Sequence, residues 1–415
     1  MNEYDVTVIG AGAAGLMAGG ASAFQGAKTI ILEKMNRPGR KIKISGKGRC
    51  NITNTDPIGE FILQFGKNGR FLHQAFARFF SSELIELLES MGVEVVFERG
   101  GRVFPESGNA TDVVDALVSW ARSKKAVIRT EVTVDGIIIE NLTVKGVHSS
   151  EGIILSKNVI VTTGGCSYPL TGSTGDGYRF ARESGHTVVS LHGALVPLDS
   201  RDVPKNDLNN LKLVNINATL NANGKKINEK FGDLVFTESG VSGPVILALS
   251  SQAIVAMEKK HSVDIVIDLK PALDSQKLDA RILRDINNSG NSTFRSLLNG
   301  LLPIKLIPVC ISALSINPEK KINQLTSKER KRLGWWLKNY TIHIDSSRPI
   351  DEAIVTAGGV SLSEIDPKTM ASKKIKGLYF AGEVLDIDAQ TGGYNLQAAF
   401  STGHAAGMAA AKSVI

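Results

Sequence analysis

The first 190 residues alternate between short apolar runs and segments with apolar residues at helical spacing. Residues 4–9 form an apolar run that predicts a buried strand, and the small apolar residues at 13–25 predict a helix packed closely against a sheet. Gly26 follows as a helix-ending glycine, and residues 27–32 predict a second strand. This order of strand, helix and strand predicts a βαβ unit at the start of the chain.

The same reasoning predicts the other elements of this region. A glycine-rich basic loop covers residues 36–54, and a glycine turn is predicted at 100–105. Further helices are predicted at 71–91, 110–123 and 175–184, and further strands at 93–97, 126–130, 132–147 (with a hairpin) and 159–163.

After about residue 190 the pattern changes. Residues 213–220 alternate and lead to Asn223-Gly224, which predicts a hairpin. Residues 263–269 predict another strand, and 275–339 are helical and more polar. The earlier pattern returns at 354–359 and 377–381, and the last helix is predicted at 396–411. We therefore predict one α/β domain, residues 1–190 with 354–415, interrupted by a β-rich domain (191–270, its strands completed by 340–353) and a helical subdomain (271–339).

Composition narrows the class of protein. The chain has 415 residues, a net charge of +7 and three cysteines without metal-like or redox-like spacing, Cys50, Cys166 and Cys310. The histidines show no metal spacing either, so we predict no metal site and no disulfide framework. Without an evident export signal or membrane-length apolar stretch, we expect a cytoplasmic protein with no membrane association. No basic patch dominates, so nucleic acid is not the favoured partner.

A glycine motif at the first turn carries specific chemistry. Gly10, Gly12 and Gly15 form GxGxxG after the first strand, and Glu33 lies 18 residues beyond the last glycine. Gly10 permits the tight turn, Gly12 lets a pyrophosphate approach the backbone, and Gly15 lets helix and strand pack closely. The helix start, with Ala13 and Ala14, would bind the phosphates, and Glu33 would accept hydrogen bonds from the ribose.

The far end of the chain favours FAD over NAD. Residues 378–383 predict a strand that ends in Gly382-Glu383, and Gly392-Gly393-Tyr394-Asn395-Leu396-Gln397 leads into the last helix. In flavoproteins such a strand binds the ribityl chain, and the helix start faces the flavin edge where negative charge develops on reduction. We therefore predict FAD bound by both ends of the chain.

Together these residues resemble the HI0933-like flavoprotein family, which includes YhiN-like, BaiN-like and aminoacetone oxidase-like proteins. The segments that carry the resemblance are 39–41 with 45–54, 101–105, 163–177 and 382–397. The resemblance implies a three-layer Rossmann-like FAD/NAD(P)-binding domain with an inserted β-barrel-like domain and a small helical domain. This chain departs from the family at Glu238, where histidine is usual. If this residue faces the substrate, the change would allow the chain a different substrate.

The resemblance also implies that FAD is bound non-covalently, and it implies where FAD lies. The basic loop would meet the pyrophosphate and the ring, Val132 would bond the adenine edge through its backbone from the hairpin strand, and 163–165 would cross near the pyrophosphate or ribose. The full predicted cofactor site is Gly10, Gly12, Ala13, Ala14, Gly15, Glu33, Lys34, Arg40, Lys41, Ser45, Gly46, Asn51, Val132, Thr163, Gly164, Gly165, Gly382, Glu383, Gly393, Asn395, Leu396 and Gln397.

Catalytic residues are less sharply indicated, because flavin chemistry asks mainly for positioning and polarisation. Candidates near the ring are Lys41, Tyr168, Tyr394 and Asn395. Cys50 and Cys166 lack the close spacing of disulfide reductases. The turn around Ser242 resembles a serine nucleophile turn only superficially, since it lacks the final glycine of GxSxG.

We expect an FAD-dependent oxidoreductase that transfers a hydride between flavin N5 and a small organic substrate. NADH or NADPH as a transient co-substrate and a soluble electron acceptor such as oxygen both stay open, so the enzyme is a reductase or an oxidase. The missing second GxGxxG argues against a disulfide-reductase-type NAD domain and leaves transient nucleotide binding open. An RNA-modifying flavoprotein and a non-catalytic redox sensor stay open as alternatives. The basic run 328–332, with Trp335 and Trp336, is interpreted as a solvated helix face whose aromatic residues pack inward.

Overall fold

The structure, a computed structural model, describes residues 3–203 and 207–415. They form two compact units. The first consists of the chain up to Ala194 together with Ile350–Ile415, and the second is Leu195–Pro349. Each unit has its own hydrophobic core.

The strands are, in chain order, β1 (Glu3–Ile9), β2 (Thr29–Glu33), β3 (Thr53–Asn54), β4 (Val95–Glu98), β5 (Arg102–Pro105), β6 (Val127–Thr130), β7 (Val134–Glu140), β8 (Thr143–Ser149), β9 (Gly152–Val161), β10 (Val188–Ala194), β11 (Leu198–Asp199), β12 (Lys212–Ala222), β13 (Lys225–Phe236), β14 (Gly240–Ser242), β15 (Val263–Asp268), β16 (Tyr340–Ile344), β17 (Ser346–Ser347), β18 (Val355–Val360) and β19 (Leu378–Phe380).

The α-helices are α1 (Ala13–Phe24), α2 (Arg40–Ile44), α3 (Ile58–Leu63), α4 (His73–Phe76), α5 (Ser81–Ser90), α6 (Ala110–Ser123), α7 (Asp176–Glu183), α8 (Pro244–Glu258), α9 (Ser275–Asn288), α10 (Phe294–Asn299), α11 (Ile307–Leu314), α12 (Ser327–Lys338) and α13 (Tyr394–Lys412). Short 3-10 turns join several of them, among them Ser45–Gly48 directly after α2.

A mainly parallel sheet forms the centre of the first unit. Its parallel strands run in the order β6-β2-β1-β9-β19, and the hairpin β7-β8 extends it antiparallel beyond β9. Val8 in β1 lies opposite Ile31 on one side and Ile160 on the other, and all three are fully buried. These apolar runs are continuous because both faces of a parallel sheet are covered.

Helices α1 and α13, which are rich in small residues, pack against each other beside this sheet. Most of α1 and of α13 is buried. A Cβ added at Gly403 would lie 2.3 Å from the carbonyl oxygen of Ala14, so the two backbones approach too closely for a side chain there. The two ends of the chain are therefore packed together, which brings both glycine turns into the same unit.

The second unit combines an antiparallel sheet with helices. Its strand order is β16-β15-β12-β13-β14-β11-β17, and the hairpin between β12 and β13 turns at Asn223-Gly224, where both residues have positive φ. The sheet and the helical segment, expected as two subdomains, share one core, in which buried Leu278 and Leu333 join Ile265.

Three local expectations are wrong. Residues 71–91 are not one helix, because the chain leaves helical geometry before α5, where Glu83 accepts from the N–H of Phe80 and caps the new helix. The basic loop contains the short helix α2, and the expected turn at 100–105 includes strand β5, which pairs with β3 and β4. Helix α6, by contrast, has the predicted bounds.

Candidate functional site

Helix α1 begins at the first glycine turn, directly after β1. Gly12 is its N-cap, and no side chain caps the helix in the described structure. A Cβ added at Gly12 would meet nothing within 4 Å, whereas one added at Gly15 would lie 1.8 Å from the carbonyl oxygen of Gly10. Packing therefore requires Gly15, and Gly12 borders open space. An uncapped helix start beside open space suits a phosphate or pyrophosphate.

Glu33 fixes this turn from the end of β2. Its buried carboxylate accepts from the N–H of Ala11 at 2.7 Å and from that of Met35 at 2.9 Å. Burial raises the pKa of Glu33, although the two N–H groups oppose that rise. A carboxylate offers about four acceptor positions, so Glu33 retains capacity for a ribose hydroxyl.

Lys41 and Glu383 form a half-buried ion pair across the site. The Lys41 ammonium donates to the Glu383 carboxylate at 2.7 and 3.0 Å and to the Ser167 hydroxyl at 2.6 Å. Glu383 also accepts from the backbone N–H of Thr356 at 2.9 Å. The pair therefore ties together the basic loop, the segment after β9, the start of β18 and the turn after β19.

The segment after β9 is held just as closely. A Cβ added at Gly165 would lie 2.3 Å from the Thr356 hydroxyl, which accepts from the N–H of Cys166 at 2.8 Å. The Thr162 hydroxyl donates to the carbonyl oxygens of Ile9 and Gly10. The carboxyl ends of β1 and β9 are thus fastened together at the first glycine turn.

The C-terminal glycine turn is pressed against β3. Gly393 has φ +95°, and a Cβ there would lie 2.3 Å from the carbonyl oxygen of Thr53. Asn54 donates to the carbonyl oxygen of Gly392 at 3.0 Å. In the amide orientation that satisfies its neighbours, Asn51 accepts from the N–H of Gly393. The basic loop and the start of α13 are therefore in direct contact.

Two buried polar atoms of the predicted site have no hydrogen-bond partner among the described residues, Thr163 Oγ1 and Gln397 Oε1. Thr163 follows β9, and Gln397 lies in the first turn of α13. A buried polar atom without a partner costs about 1–3 kcal/mol, which a ligand with hydroxyl and N–H groups would recover. Together with the open space at Gly12, these atoms fit FAD.

Other predicted residues use their polar groups within the protein. Lys34 pairs with Asp176, Arg40 donates to Asn36, and Ser45 donates to the carbonyl oxygen of Ile42. Val132 lies just before β7 rather than in the hairpin strand, and its N–H donates to the carbonyl oxygen of Glu33. Gly46, Gly164 and Gly382 have positive φ, and the half-buried Leu396 packs on the core.

The four catalytic candidates differ in their surroundings. The Tyr394 hydroxyl donates to Asp56 at 2.7 Å, and the Asn395 amide bonds both the N–H and the carbonyl oxygen of Ala389 at 2.9 Å. These two brace neighbouring loops. Tyr168 is exposed, and Lys41 is held in its ion pair.

A carboxyl group that the sequence analysis missed lies between Gly382-Glu383 and the glycine pair. Burial raises the pKa of Asp388 to about 6; the nearby charges of Asp386 and Glu383 add to that rise, and His192 opposes it. His192 Nδ1 is buried and has no partner among the described residues. The acidic spacing of Asp386 and Asp388 between two cofactor motifs was the available signal.

Comparison with known proteins decides the family. The model of the HI0933-like protein Rossmann domain matches residues 4–409. The chain belongs to the HI0933-like family. A 3-dehydro-bile acid delta(4,6)-reductase of Clostridium scindens is 30% identical over 98% of this chain and 99% of its own. A ribosomal RNA dihydrouridine synthase of Haemophilus influenzae is 32% identical over 98% of each chain.

Solved structures share the fold. A flavocytochrome c3 fumarate reductase in an open conformation superposes with a TM-score of 0.54 at 19% identity, covering 100% of this chain and 79% of that one. The prediction of an α/β protein with a Rossmann-type FAD-binding domain is confirmed. This HI0933-like protein is an FAD-dependent oxidoreductase. Among the described helices, none has the length and apolar character needed to span a membrane.

Proposed function

We propose that the protein is a reductase that saturates a carbon–carbon double bond conjugated to a carbonyl group, with electrons drawn from NADH or NADPH. The observation that carries the proposal is the chemistry shared by its full-length relatives. One is named for reducing a 3-dehydro-bile acid and another for making dihydrouridine. Both products imply hydrogen added across a double bond that is conjugated to a carbonyl in the substrate.

Such a reduction needs a hydride at the carbon β to the carbonyl and a proton at the α carbon. When bound, the reduced form of FAD would supply this hydride, with electrons that come from NADH or NADPH. The residues of the site would hold the cofactor at the helix starts of α1 and α13. The proton has to come from the protein or from water.

Asp388 is the proton donor that we favour. Its pKa of about 6 keeps part of the population protonated at neutral pH, which suits a general acid. It lies between Gly382-Glu383 and Gly392-Gly393, the two segments expected to line the flavin. Asn395 bonds Ala389 and Asn68 donates to the carbonyl oxygen of Asp386, so the segment that carries Asp388 is braced on both sides.

The first experiment identifies the donor and the acceptor separately. The purified protein is reconstituted with FAD and mixed anaerobically with NADH and then with NADPH, while flavin absorbance is followed. Bleaching by one nucleotide, followed by recovery on addition of a 3-oxo-Δ4 steroid, supports the proposal. A protein that takes up no FAD, or whose reduced flavin is reoxidised only by oxygen, contradicts it.

A second candidate substrate is uridine in RNA. The observation that favours it is the name of the Haemophilus influenzae relative, which matches this chain from end to end. The uracil C5–C6 double bond is conjugated to the C4 carbonyl, so the same hydride and proton additions would form dihydrouridine. Anaerobic reoxidation of the reduced protein by oligouridine, with dihydrouridine found by mass spectrometry, would select this substrate.

A further inference from the structure

Helix α12 of the second unit presents a basic, aromatic face to solvent. Trp335 is 65% exposed, whereas its neighbour Trp336 is 7% exposed and belongs to the core. The sequence expectation that both aromatic residues pack inward is therefore wrong for Trp335. Trp335 is thus an aromatic ring open to solvent on a helix whose other large apolar residues are buried.

Three exposed cations of α12 lie on the same side of the helix as this ring. Lys328, Lys331 and Arg332 are all exposed and stand seven, four and three residues before Trp335. At 3.6 residues per turn these positions fall within one arc of about 100°. We define the α12 face as Lys328, Lys331, Arg332 and Trp335.

The α12 face keeps its positive charge. The described structure pairs none of its three cations with a carboxylate, and Arg332 donates instead to the carbonyl oxygen of Leu314 at 2.5 Å. Glu329, the one acid in the helix, is turned away: it accepts from Lys320 at 2.7 Å and caps the helix start at Thr326. A polyanion therefore meets no opposing charge from α12 itself.

We propose that the α12 face docks single-stranded RNA, with Trp335 stacking on a base and the three cations along the phosphates. Cations beside an exposed aromatic ring are the arrangement that sequence-tolerant single-strand binding uses. Charge complementarity selects a polyanion, and the stacking surface selects one with exposed bases.

An anionic membrane fits this face less well. A helix that lies in a membrane surface needs an apolar face to insert. In α12 the apolar residues Leu333, Trp336 and Leu337 are buried in the core of the second unit, which leaves Trp335 alone for insertion. RNA is therefore the partner that the observations favour.

The inference rests on the RNA-directed form of the proposed function, but its test does not need turnover. Binding of a fluorescein-labelled oligouridine of roughly 16 nucleotides to the full-length, FAD-loaded protein is measured by anisotropy. Trp335→Ala is expected to weaken binding roughly ten-fold. Lys328→Gln with Lys331→Gln is expected to lower the slope of log affinity against log salt by roughly 1.4.

Matched controls lie elsewhere on the surface. Leu63→Ala removes another exposed apolar side chain, 67% exposed, and Lys259→Gln with Lys260→Gln removes two exposed lysines of the second unit. Unchanged binding by these controls supports the assignment. No RNA binding by the parent protein, an equal loss in the controls, or Trp335-dependent binding to phosphatidylserine vesicles in place of RNA would overturn it.

The same variants separate this inference from the proposed function. Anaerobic bleaching of the flavin by NADH or NADPH, and its recovery with the 3-oxo-Δ4 steroid, should be unchanged in Trp335→Ala. If recovery is normal but RNA is not bound, only the α12 assignment fails. If the flavin neither bleaches nor recovers in the parent protein, the proposed function fails, whatever the RNA result.

Discussion

The two glycine turns of the first unit differ in how closely the surrounding protein packs against them. At the N-terminal turn, Gly12 borders open space, and its backbone has an ordinary negative φ. At the C-terminal turn, Gly393 has positive φ and touches the backbone of β3. The same residue type thus does two jobs: Gly12 leaves room for a ligand, whereas Gly393 lets two segments of the protein meet.

Among the substitutions at these turns, Gly393→Ala should destabilise the fold most. The new Cβ would meet the carbonyl oxygen of Thr53 at 2.3 Å, and alanine would have to adopt φ +95°. We expect a loss of about 4 kcal/mol in the free energy of unfolding, from backbone strain and overpacking together. Urea unfolding of the FAD-free protein measures it.

Gly92→Ala is the matched control, because Gly92 has φ +82° but nothing within 4 Å of an added Cβ. It should cost about 1 kcal/mol, from the left-handed backbone alone. Equal losses in the two variants would show that contact with β3 contributes nothing.

Glu33→Ala probes the first turn from the protein side. The two N–H groups that bond the carboxylate, those of Ala11 and Met35, would lose a buried charged acceptor. We expect a loss of about 3 kcal/mol in unfolding free energy without FAD. Thermal or urea unfolding checks this, and an unchanged midpoint would show that the turn holds its shape without Glu33.

Gly12→Ala should separate folding from binding. We expect the unfolding free energy of the FAD-free protein to stay within about 1 kcal/mol of the parent. FAD affinity should fall by about 2 kcal/mol, roughly thirty-fold, because the methyl group occupies ligand space. Fluorescence titration with FAD measures this affinity. An unchanged affinity in the variant would show that the pyrophosphate does not bind at this turn.

Sequence alone predicted the elements that depend on local pattern. The opening βαβ unit, helix α6 and both glycine turns follow from apolar spacing, caps and glycine placement, and the structure contains each of them. The family and its FAD-binding fold follow from motifs that span the chain, and the comparisons confirm them. The cofactor role of each residue stays a prediction.

What sequence could not supply depends on contacts between distant residues. Lys41 and Glu383 are 342 positions apart, and nothing local in the sequence pairs them. Asp388 becomes notable only through its burial, and the split between exposed Trp335 and buried Trp336 depends on how α12 sits on its core. From apolar content alone, both tryptophan side chains are predicted to be buried.

A further prediction concerns the pH dependence of the reaction and the loop that leads to the second glycine turn. A proton donor must be protonated, so the rate of substrate reduction should fall about ten-fold per pH unit above the Asp388 pKa of about 6. Asp388→Asn should be slow and lack this dependence. The rate of flavin reduction by the nicotinamide nucleotide serves as the control. Its pH dependence should be the same in the variant as in the parent protein. An unchanged profile in the variant would assign the proton to another group.

We propose that both chain ends hold FAD for the reduction of a conjugated double bond. The most direct measurement is an anaerobic single turnover, in which the protein, reduced by NADH or NADPH, is mixed with a 3-oxo-Δ4 steroid or with oligouridine. We expect flavin absorbance to return and one equivalent of saturated product to form. Flavin that stays bleached with both substrates and recovers only in oxygen would contradict it.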